Sequence, residues 1–129
     1  MYEILKSYVG CIFICYNFSK REVIILMITD KQFEDAFTAA GGWFFLTQFE
    51  TIHNWTGNKS ELVDELFKEG FDAKRTGTNT RVSSVIRIIE GNRGKEALIR
   101  IRDSKVINKT HPDAQERANA LIKVYYSNL

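Results

Sequence analysis

The chain has 129 residues, 44% of them hydrophobic and 26% charged, and a formal net charge of +2. That is the balance of one globular domain, long enough to bury a core without disulfides or metal. It excludes a membrane-spanning helix, since no run approaches the ~20 continuous apolar residues that a span requires.

The first twenty-six residues differ from the rest. Their apolar run Tyr8 to Phe18 follows Lys6 as a secretory leader's would, but no small-residue cleavage site succeeds it. "GCIFICYNFSKREVIILM" is rich in β-branched and aromatic residues and reads as a hairpin, Cys11–Tyr16 against Val23–Met27, with the turn at Asn17 to Arg21. A disordered extension is the other expectation. Lys20-Arg21-Glu22-Val23 can also be encoded with a ribosome-binding GGAGG, which makes residues 1–26 upstream translation and Met27 the start. The expected organisation is an extension, 1–26, and a single helical domain, 27–129.

From Met27 the pattern turns helical. Thr29 and Gln32 have capping-box spacing, with Ile28 as a hydrophobic staple. Phe33, Ala36, Phe37 and Ala40 form one stripe, and Gly41-Gly42 ends it. Trp43 to Trp55 is a second, densely aromatic segment, read as a buried helix, with a strand as the lesser alternative. Asn58 caps a third helix with stripe Leu62, Val63, Leu66 and Phe67, which Gly70 stops. "DAKRTGTNT" reads as a polar loop, so the fourth helix is expected from Asn79 or Thr80, with Val82, Val85, Ile86 and Ile89 inward and Thr80, Ser84 and Arg87 outward. After the break "EGNRG", "KEALIRIRDSKVI" gives a helix burying Ala97, Leu98 and Ile101. His111-Pro112 opens a last helix with stripe Ala118, Leu121, Ile122 and Tyr125. The expected fold is all-α: a compact bundle of about five helices, helix-turn-helix-like.

Little here supports catalysis. His53 and His111 are isolated, Cys11 and Cys15 stand C-x3-C without a second ligand pair, and no phosphate-binding glycine loop is present. No metal, no cofactor and no enzyme are expected, and the two cysteines read as reduced thiols of a cytoplasmic protein. Glu61, Asp64 and Glu65 share a helix surface, but acidic residues near a helix N-terminus are there for the dipole, and Asp64 is spaced to pair with Lys68.

The charge is uneven. Residues 71–110 hold ten basic and four acidic side chains, +6, whereas residues 27–70 hold three basic and eight acidic, −5. Such a block marks either a basic binding face or an attraction between two halves of one fold. The first alternative makes this a small nucleic-acid-binding or regulatory protein, of the kind a mobile element carries. Lys74, Arg75, Arg81, Arg87, Arg93, Lys95, Arg100 and Arg102 would meet phosphates of DNA or RNA, and Thr80 and Ser84 would make closer contacts. Two helix-turn-helix registers are open. One pairs Ser60–Glu69 with Thr80–Glu90 across a long loop; the other uses "EGNRG" as the turn and presents Lys95–Asp103. The alternative function is a non-enzymatic interaction module or homodimer that uses the aromatic segment 43–55.

Overall fold

A computed structural model describes residues 27–127 and, ahead of them, the backbone of three short strands. These strands, β1 (Ser7–Val9), β2 (Ile12–Asn17) and β3 (Glu22–Ile25), pair antiparallel in the order β1-β2-β3. Cys11 and residues 18–21, the turn of the expected hairpin, lie outside the described residues.

The part that follows is all-helical. Its seven helices are α1 (Asp30–Ala40), α2 (Gly42–His53), α3 (Lys59–Phe67), α4 (Arg75–Glu90), α5 (Gly94–Arg102), α6 (Lys105–Thr110) and α7 (Ala114–Tyr126). The capping box forms as its spacing predicts: the Gln32 N–H donates to Thr29 Oγ1, and the Thr29 N–H donates to Gln32 Oε1. Asn58 caps α3 by accepting from the Glu61 N–H. Gly41 ends α1 at φ +80° and ψ 135°, a conformation open to glycine rather than to a side chain.

α4 is the hub. It is the longest helix, at 16 residues, and it packs on α1, α2, α3 and α5, while α7 closes the other side against α5, α2 and α6. The centre holds Phe33, Phe45, Phe49, Val82, Val85, Ile88, Leu98 and Ile101, all withdrawn from solvent. The aromatic segment belongs to this core: Phe44, Phe45 and Phe49 are buried, Trp43 lies flat against His111 with ring centroids 3.6 Å apart, and Trp55 donates its indole N–H to the Asn58 carbonyl.

The helix count and three boundaries depart from expectation. α4 starts at Arg75, a full turn before Asn79, although Thr76-Gly77-Thr78 is a poor helix-forming run. Tertiary contacts outweigh that propensity. Buried Thr78 donates its hydroxyl to Asp72, Arg81 donates to the same carboxylate, and Gly77 leaves room for it, since a Cβ there would stand 3.2 Å from the Asp72 side chain. The helix expected from Lys95 onward is two helices, α5 and α6. Asn108 separates them by donating its amide to the carbonyls of Ile101, Arg102 and Ser104. α7 begins at Ala114, two residues past Pro112.

The α4–α5 turn fixes how α1 enters the fold. The Ile28 N–H donates to the Gly91 carbonyl, and Asn92 takes a left-handed φ of 61°. A Cβ on Gly91 would lie 2.5 Å from Ile28 Cγ2 and 2.7 Å from the Arg87 carbonyl oxygen. Gly91 has a negative φ of −77°, so its backbone alone would accept alanine. Gly91→Ala should therefore destabilise the fold by overpacking, by about 1–3 kcal/mol, measured by urea unfolding. A variant as stable as the parent would show that Ile28 does not sit on this turn.

Candidate nucleic-acid interface

Of the ten residues expected to face nucleic acid, six are arginines, and five of these are bound to carboxylates. Arg93 is 9% exposed. Its Nε and Nη2 bind both oxygens of Glu96, at 2.6 and 2.9 Å, its Nη1 meets Asp30 at 2.9 Å, and its guanidinium lies 4.5 Å from the Phe33 ring centroid. The bonds to Glu96, first, and to Asp30 hold its proton more firmly than an ordinary arginine would. The expectation that Arg93 meets phosphate is corrected: this side chain is an internal tie.

Arg100 grips Glu34 of α1 with both Nη atoms, at 2.8 and 2.6 Å, and lies over Phe33 and Phe37. Arg81 pairs with Asp72 at 3.0 Å and donates Nη1 to the Ala40 carbonyl at the end of α1. Arg75 binds Asp64 and the Ser60 hydroxyl, and Arg102 binds Asp103. Ser84 is corrected as well. It is buried, and its hydroxyl donates to the Thr80 carbonyl one turn back. With α4 packed on four neighbours, the inward arc is wider than the apolar stripe and takes Ser84 with it.

Lys74, Arg87, Lys95 and Thr80 remain. Arg87 and Thr80 are exposed on the outer side of α4, Lys74 is exposed at its N-cap, and Lys95 is half-buried in the first turn of α5. Lys74, Arg87 and Lys95 make no ion pair among the described residues. The early start of α4 adds Thr76 to its outer side. Thr76, Asn79, Thr80, Ser83 and Arg87 follow one another at helical spacing along one side, and all but half-buried Ser83 are exposed. Residues 71–110 carry an excess of +6, and three carboxylates from outside the segment, Asp30, Glu34 and Asp64, bind its arginines. Half of the surplus is thus matched inside the fold.

Catalysis and metal binding gain no support from the geometry. Among the described residues, no group of three or more His, Cys, Asp or Glu is placed to hold a metal ion, and no helix is long and apolar enough to cross a membrane. His53 sits in an aromatic cluster with Phe49 and Tyr125, its Nδ1 3.0 Å from Asn54 Oδ1. A groove of about 220 Å³ between α2 and α7 is lined by Leu46, Thr47, Glu50, Arg117, Leu121 and Val124, among others. No protein-family model matches the chain, and neither a curated protein nor a solved structure does.

Two predictions follow from the ion pairs. Removing Arg93 frees two carboxylates that water can reach, Asp30 being 95% and Glu96 45% exposed, so the loss falls below that of a fully buried pair. Arg93→Met should cost about 1–3 kcal/mol, read by urea unfolding; no loss would mean that Phe33 and the turn hold α1 without it. The hydrogen bond from Arg100, chiefly, holds the Glu34 carboxyl below its ordinary 4.5. The folded chain therefore binds fewer protons there than the unfolded chain. The stability this contributes is complete above pH 4.5 and is lost as pH falls through the depressed value. Glu34→Gln should be less stable than the parent at neutral pH, and the difference should close on acidification below that point. A difference independent of pH would refute the linkage.

Proposed function

We propose that the chain is a small non-enzymatic nucleic-acid-binding protein whose contact surface is the outer side of α4, with Lys74, Thr80, Arg87 and, from α5, Lys95. The observation that carries this reading is Arg87. It is exposed in the last turn on a polar helix side, while the other arginines of residues 71–110 are tied to carboxylates. A helix that is polar, free of bulky side chains on its outer side and flanked by cations suits close approach to a phosphate-lined groove. Within a helix-turn-helix-like reading, α4 is the better reading helix, because the Arg100 and Arg102 of α5 are engaged by Glu34 and Asp103. The same proposal takes 27–129 as one helical domain, a cytoplasmic setting, and a regulatory or mobile-element role.

The second reading is a homodimerisation module. The aromatics of segment 43–55 are in or against the core, yet the same segment lines the α2–α7 groove through half-buried Thr47 and exposed Glu50, with buried Leu46 at its floor. Val124, 69% exposed, stands at that groove, and Glu50 and Arg117 place both signs of charge there, which lets the same patch on two copies be complementary to itself.

A salt titration separates the two. With three unpaired cations, about three phosphate contacts give a log–log slope near −2.7, so affinity should fall roughly 40-fold for a fourfold rise in salt. Arg87→Ala should flatten that slope by about one contact's worth, ~0.9, at unchanged stability, whereas Arg81→Ala should lower stability. No mobility shift of DNA or RNA, duplex or single-stranded, at micromolar protein in low salt would remove the nucleic-acid reading and leave the dimer, checked by sedimentation.

A further inference from the structure

The hydrogen-bond inventory of the α4 surface narrows what it can read. Thr80 and Ser83 are the obvious polar side chains, but both hydroxyls already donate to their own helix, Thr80 to the Thr76 carbonyl at 3.1 Å and Ser83 to the Asn79 carbonyl at 2.8 Å. Such back-bonded hydroxyls keep acceptor capacity and lose their donor. Asn79 differs. It is exposed, and its side-chain amide makes no hydrogen bond among the described residues, so two donors and an acceptor stay open. Arg87, two turns on and about 12 Å along the axis, is the other open side chain with a planar, multi-donor head. Lys74 stands before the first turn as the N-cap and Arg87 lies in the last, so a cation is present near each terminus of α4.

Resting on the nucleic-acid reading above, we propose that the ligand is duplex DNA, entered through the major groove, and that Asn79 is a specificity-determining residue that pairs with adenine. An asparagine amide matches the N6 donor and N7 acceptor that adenine presents there. The surface is a rigid helix side of small side chains, which that groove admits. The alternatives fit less well. The major groove of A-form RNA is too deep and narrow for side chains to read. Single strands are held by stacking on aromatic rings, and the side formed by Thr76, Asn79, Thr80, Ser83 and Arg87 has none.

The test uses the full chain with three probes: a DNA duplex pool with a randomised centre, an RNA duplex of matching length, and the single strands of each. The DNA duplex should bind tightest, and selection from the pool should enrich a motif with a fixed A·T pair. Asn79→Ala should bind the unselected pool within about twofold of the parent, because phosphate contacts dominate that affinity. It should lose about 5- to 150-fold of its preference for the enriched pair over other pairs. Its circular dichroism melt should match the parent's, since Asn79 is exposed and alanine favours helix. Tighter binding of RNA or of single strands would overturn the inference while leaving nucleic-acid binding in place. An unenriched pool, or an unchanged motif with Asn79→Ala, would overturn the role of Asn79. Binding to none of the probes would overturn the function proposal itself.

Discussion

Three guanidinium groups fasten α1 to the rest of the molecule, and much of the architecture hangs on them. Arg93 meets its first turn at Asp30, Arg100 its middle at Glu34, and Arg81 its last carbonyls at Ala40. α1 carries no basic residue in its last turn, so Arg81 supplies from another helix the positive charge that a helix C-terminus favours. Lysine could not substitute for these contacts. Arg93 and Arg100 each hold a carboxylate through two nitrogens while lying against Phe33, which needs a planar fork with a flat face. The exposed Arg100–Glu34 pair contributes little on its own, about 0–1 kcal/mol; buried Arg93 contributes more. The driving force remains the burial of Phe33 and its neighbours. The arginines decide how α1 is oriented when that burial occurs.

The same arrangement explains the charge asymmetry. An acidic first half and a basic second half look like two surfaces when the chain is read as a line. In the fold, Asp30, Glu34 and Asp64 cross to the basic segment and Asp72, Glu96 and Asp103 are bound within it. The attraction between halves and the basic face were both open expectations, and the geometry gives the arginines mainly to the first. Besides Arg87, what stays outward is mainly lysine: Lys74, Lys105 and Lys109 are exposed, and Lys95 is half-exposed. This division follows from hydration, since a compact ammonium is held by water more strongly than a delocalised guanidinium.

Local signals in the sequence were the legible ones. The Thr29–Gln32 box, the Asn58 cap, the stripe of α1 and Leu62, Val63 and Leu66 of α3 depend on neighbouring residues along the chain and are present, whereas Phe67, expected in the α3 stripe, stays outside the core. The start of α4 was not legible. Its first turn is made stable by Asp72, Asp64 and Ser60, which no periodicity within Thr76-Gly77-Thr78 could announce. The break between α5 and α6 comes from the Asn108 amide reaching back to carbonyls four to seven residues earlier. The candidate surface suffered from the same blindness. The total of +6 can be counted from the letters, but which arginines are already neutralised depends on partners as far away as Asp30 and Glu34. Asn79 was missed because a surface cannot be extended along a helix thought to begin there.

Arg87 gains its meaning from this background. In a segment where arginine is the residue that finds a carboxylate, it is the one arginine that makes no ion pair among the described residues, and it lies exposed on the hub helix. The inner side of α4 is fixed by packing on four helices, so its outer side presents Arg87 on a rigid mount. A mobile cation loses conformational entropy whenever it meets an anion. Carried on a helix that the core already holds still, Arg87 brings only its side chain to be ordered, and this makes it the cation of the segment best prepared for an external phosphate or base.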